Sequence, residues 1–106
     1  MDVQITIRRG RAGEGFRALA EEKARKLEKY EPRLIRVELL FERDGGRSVG
    51  EVRAMVPGLP ALVSKAEAES RRTALDRVMQ KAARQLRKER SRRVEHKALP
   101  VTGLVE

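Results

Sequence analysis

The residues with the strongest chemical character in this chain are cations gathered in one stretch. Between Ser70 and Arg93 stand Arg71, Arg72, Arg77, Lys81, Arg84, Arg87, Lys88, Arg90, Arg92 and Arg93, against Asp76 and Glu89 alone. Ten cations less two acids leave +8 on that segment, out of +9 for all 106 residues. At about 100° per residue, a helix aligns Arg77, Lys81, Arg84 and Lys88 in a stripe opposite Leu75, Val78, Met79, Ala82 and Leu86. Like charges at this spacing repel, so the stripe calls for a counter-charge. A row of phosphates supplies one, because turns of about 5.4 Å are comparable with the phosphate spacing of a nucleic-acid strand. The chemistry expected is salt-sensitive binding of a polyanion.

Other chemistry has little to stand on. The one histidine, His96, cannot build a Ser-His-Asp triad or a histidine metal cluster within one chain. Glu67 and Glu69 share a strand face, but that is the polar side of a half-exposed strand rather than a pair of catalytic acids. Gly10-Arg11-Ala12-Gly13-Glu14-Gly15 joins a strand to a helix without the spacing of a dinucleotide loop and without a following Gly-Lys-Ser/Thr. No enzymatic activity, cofactor, metal or small-molecule substrate is expected. The chain has no cysteine, no apolar run near membrane-spanning length and no secretion signal, so a cytoplasmic location is expected.

The elements that must position the cations follow from periodicity. Val3, Ile5 and Ile7 alternate with polar residues as a strand with one buried face; Phe16, Leu19, Ala20, Leu27 and Tyr30 then predict a helix over about 14–30, stopped by Pro32. Ile35, Val37, Leu39 and Phe41 give a second strand, which Asp44-Gly45-Gly46 turns back into a third near 48–56. After Pro57-Gly58-Leu59-Pro60 comes a fourth strand, about 61–69, whose Leu62, Ser64, Ala66 and Ala68 offer a small-residue face for close helix packing. Ser70 is the expected N-cap of the second helix, which reaches about residue 93. The order is β-α-β-β-β-α. It predicts an α+β domain over 1–93, double-stranded-RNA-binding-domain-like, with a four-stranded mixed sheet and two helices on one face. Residues 94–106 have weak periodicity and contain Pro100 and Gly103, which predicts a mobile C-terminal tail.

Charge alone does not separate RNA from DNA. No helix-turn-helix, zinc-ligand or basic-zipper pattern is present, which favours RNA. The only aromatics, Phe16, Tyr30 and Phe41, fall on expected core positions, so recognition by backbone and shape is favoured over base stacking.

Four motifs in order carry a more specific likeness: Leu27-Glu28-Lys29-Tyr30, Val56-Pro57-Gly58, Ala68-Glu69-Ser70 with Ala74-Leu75-Asp76, and Gln85-Leu86-Arg87-Lys88. Together, over about residues 3–93, the sequence resembles the ribosome hibernation promoting factors and ribosome-associated inhibitors, formerly the sigma-54 modulation proteins. The resemblance implies ribosome hibernation and translation inhibition. The mechanism it implies is binding of rRNA in the messenger and transfer-RNA channel of the small subunit of idle ribosomes. It also implies rRNA contacts at Lys23, Lys26 and Lys29 on helix one and Lys81, Arg84, Arg87 and Lys88 on helix two. Arg8 matches a family arginine near the end of strand one, while Arg77 and Arg90 extend the stripe by geometry alone. Two departures stand out. Ser70-Arg71-Arg72 replaces the family's usual Asp-Met-Tyr, and Gly13 replaces the usual threonine before helix one, weakening that cap. Long members add a C-terminal domain that pairs ribosomes; the thirteen residues after Arg93 are too few for one, so self-sufficient pairing of ribosomes is not expected.

Two other functions fit the same charge. A general double-stranded RNA-binding module or ribonucleoprotein subunit shares the basic helix. A membrane-surface binder fits less well, since the apolar stripe is narrow, has no Trp or Phe, and is needed for the core.

Overall fold

The protein is described by a computed structural model covering residues 1–105, with side chains through Arg93. Strands β1 (Asp2–Arg8), β2 (Arg36–Asp44), β3 (Arg47–Met55) and β4 (Leu62–Ala68) lie side by side in the order β1-β2-β3-β4. β1 runs parallel to β2, and the two tight connections make the remaining pairs antiparallel. Helix α1 (Glu14–Arg25) crosses between β1 and β2, and α2 (Arg71–Val105) follows β4.

The register explains why both helices share one face. Val3, Ile5 and Ile7 stand beside Val37, Leu39 and Phe41, which in turn face Ala54, Val52 and Gly50. Leu62, Ser64, Ala66 and Ala68 continue those rows into β4. One apolar face results, and Ala20, Ala24, Leu27, Leu75, Val78, Met79, Ala82 and Leu86 close it into a single core. The small face expected of β4 lets α2 approach, and Ser64 there donates to Gln85 Oε1 at 2.7 Å. Gly45 takes positive φ (64°) as the first central residue of the β2–β3 turn, a conformation that glycine adopts without steric penalty.

Two helix boundaries differ from those the sequence pattern predicts. The first helix leaves α geometry at Arg25 and tightens into a 3-10 turn over Lys26–Lys29. Tyr30 N–H donates to Leu27 O at 3.0 Å, so the turn buries Leu27 and satisfies end carbonyls before Pro32 forbids further helix. The second helix continues past residue 93 to Val105, its backbone passing Pro100 and Gly103, which the sequence pattern places outside it. The mobile tail expected over 94–106 lies outside the residues whose side chains are described.

The helix starts behave as their residues dictate. Gly13 makes no side-chain cap for α1, whereas Ser70 Oγ accepts from Thr73 N–H at 3.1 Å and caps α2. Ser70→Ala should therefore cost about 1 kcal/mol, read as a lower midpoint in urea with an unchanged slope.

Candidate nucleic-acid interface

Helix α2 carries its cations on two flanks, divided by what lies beside each. On the β4 side, Arg77 donates to Glu67 O at 3.0 Å and Lys81 to Lys65 O at 2.9 Å. Arg84 and Lys88 follow one and two turns further along, exposed. The expected stripe is therefore real, but its first half leans over the sheet edge rather than standing directly opposite the core. The cause is local: long cationic side chains reach unpaired carbonyls of the last strand.

On the α1 side a groove of about 410 Å³ runs between the helices, lined by Lys23, Lys26, Lys29, Tyr30, Arg72 and Asp76. Arg87 joins it from above. Its guanidinium lies 5.3 Å from the centre of the Tyr30 ring, and Lys29 Nζ lies 5.1 Å from the same ring. Asp76 is the one acid lining the groove; it pairs with Lys23 at 3.3 Å and with Arg72 at 3.5 Å. Lys26 reaches only Glu22, at 4.0 Å and in solvent, where such a pair holds little energy. Five cations against one acid leave the groove strongly positive.

The structure thus brings the expected residues together in two groups, Lys23, Lys26, Lys29 and Arg87 in the groove, and Arg77, Lys81, Arg84 and Lys88 along the β4 flank. Arg90 is exposed further along α2. Arg8 stands apart. With Gln4 and Thr6 it belongs to the helix-free face of the sheet, away from the cations of the two helices.

Three features escaped the sequence reading. Tyr30 was expected in the core, yet it is only half-buried and forms the aromatic floor beneath Lys29 and Arg87. A signal existed, since Tyr30 and Arg87 both sit inside the motifs quoted above. Arg71 is a packing residue. It lies over Phe16 at 5.4 Å and donates to Arg11 O at 2.8 Å, covering the β1–α1 loop. Arg93, counted in the charge of the segment, pairs with buried Glu31, which also accepts from the Arg33 backbone N–H at 3.0 Å. Arg93 and Glu31 thereby cancel each other's charge.

Among the described residues no group of side chains could hold a metal ion, and no helix is long and apolar enough to cross a membrane. Among the described residues the apolar stripe of α2, Leu75 to Leu86, is buried against the sheet and is not presented to a lipid surface.

Residues 3–94 match the family described as Sigma 54 modulation protein / S30EA ribosomal protein. The chain belongs to this family. Membership makes its function ribosome-associated, in a family of translation regulators rather than enzymes. Solved structures repeat the fold. A ribosomal subunit interface protein from Coxiella burnetii superposes with a TM-score of 0.79 at 20% identity, covering 86% of this chain and 99% of that one. The N-terminal domain of Protein Y from Thermus thermophilus gives 0.73 at 18% identity, covering 83% and 98%. No curated protein matches the sequence. At such low identity the shared architecture is secure, while the surface cations belong to this chain and rest on its own geometry.

Proposed function

We propose that the protein holds ribosomes idle by binding the rRNA of the small subunit across the messenger and transfer-RNA channel, from the cytoplasm, without catalysis. The observation that carries this reading is the two-flanked α2. A helix whose apolar side is buried in the sheet presents cations to its left and right, so one rigid element faces phosphates on two sides. That arrangement suits insertion into a cleft between rRNA segments better than lying along one duplex. Family membership and the likeness to a subunit interface protein support the same conclusion.

The reading of a general double-stranded RNA binder makes a different forecast. Purified small subunits and a naked RNA duplex, offered together in a sedimentation assay, should divide the protein strongly in favour of subunits; equal partition would displace the ribosomal reading. Binding should also weaken steeply with added salt, because each neutralised phosphate releases condensed counterions.

The aromatic floor of the groove yields a finer test. Tyr30→Leu keeps an apolar side chain but removes the ring that positions Lys29 and Arg87. Subunit affinity should fall about two- to fivefold, in keeping with about 0.5–1 kcal/mol for an exposed cation–π contact, with thermal stability little changed.

A further inference from the structure

Open sheets have two free edges, and here each is closed by cations reaching down from a helix. On β1, Arg25 of α1 donates to Met1 O at 3.1 Å and Arg17 reaches Ile5 O at 3.4 Å. On β4, the shorter pair is made by Arg77 to Glu67 O and Lys81 to Lys65 O, at 3.0 and 2.9 Å. An exposed strand edge is a template for a further strand, and charged side chains are a common device for blocking it.

The geometry points to the β4 edge as a latent interface for a second copy of this chain, held shut by Arg77 and Lys81. Strand chemistry selects both partner and register. Lys65 and Glu67 turn their carbonyls outward, so an added antiparallel strand must pair odd-numbered residues with odd-numbered residues. Centring the two-fold on Lys65 or on Glu67 would set like charges opposite each other. Centring it on Ala66 instead places Lys65 opposite Glu67 of the second copy, and the reverse, giving two cross-strand ion pairs of opposite sign. Within one chain these side chains pair with neighbours on β3, Lys65 with half-buried Glu51 at 3.4 Å and Glu67 with Arg47 at 3.3 Å, which lie on the same outer face and need not be displaced.

In the closed state, Arg77 and Lys81 occupy the two acceptors that a new strand requires. Their charges add a second barrier, since two copies joined about Ala66 would bring four cations to one junction. The same cations therefore serve two ends, binding polyanions and keeping the domain single.

Sedimentation equilibrium of the full chain tests this. Wild type should remain near 12.0 kDa. Arg77→Ala with Lys81→Ala should self-associate toward twice that mass, roughly tenfold or more tighter than wild type. Adding Lys65→Glu should abolish the association by placing acids opposite acids, and adding Glu67→Lys as well should restore it. Far-ultraviolet circular dichroism confirms that each variant is folded. A double variant that stays monomeric at every concentration overturns the proposal, as does association indifferent to the sign at Lys65.

Discussion

Reversing Lys81, Arg84 and Lys88 to glutamate should lower affinity for purified small subunits by roughly two to three orders of magnitude at modest ionic strength. All three are exposed on the β4 flank of α2, and none contributes to the core. On the proposed reading, each reversal removes a cation offered to phosphate and adds a charge that phosphates repel. The plot of log affinity against log salt should flatten by about two to three units, the loss expected for three backbone contacts. Arg71→Ala is the instructive control. Its guanidinium lies on Phe16 and bonds the Arg11 carbonyl, so its removal should loosen the domain while leaving subunit affinity and salt slope close to wild type. If the triple variant bound like wild type, the rRNA-facing role of this flank would be wrong.

The largest effect on stability should come from Gly50→Val. Gly50 sits on the core face of β3 opposite Phe41, and a Cβ there would lie 3.0 Å from Phe41 Cε1, 3.3 Å from Cδ1 and 3.4 Å from Val78 Cγ1. Phe41 cannot retreat easily. It is buried, and its ring stands edge-on to Phe16 at 5.1 Å with an interplanar angle of 81°. Two further methyl groups must therefore push α2 off the sheet or drive Phe41 from its rotamer. Overpacking of this kind costs about 3 kcal/mol, which for a domain this small lowers the midpoint of thermal unfolding by roughly 12 °C or more. Gly50→Ala should fall between. A melting temperature unchanged in the valine variant would show that the β3–α2 contact is looser than the structure describes.

Period-two and helical patterns sufficed for the β-α-β-β-β-α order, the turn at Gly45 and the Ser70 cap, because each depends on a few neighbouring residues. The inward set Val37, Leu39, Phe41, Leu75, Val78 and Leu86 was legible for the same reason: side-chain period alone decides which face an element buries. So was the excess of charge on the last helix, which is a property of composition. What neighbours in sequence cannot express is which of those charges remains free. Arg93 is spent on Glu31, sixty-two positions earlier; Arg71 covers a loop sixty positions away; Arg77 and Lys81 bend to β4; and Arg87 meets Lys29 over Tyr30 only because α1 and α2 pack side by side. Helical spacing placed ten cations on one element, but only the packing of that element against β4 and α1 divided them into two working flanks and a structural remainder, since a charge takes its role from the groups that chain folding brings within a few ångströms of it.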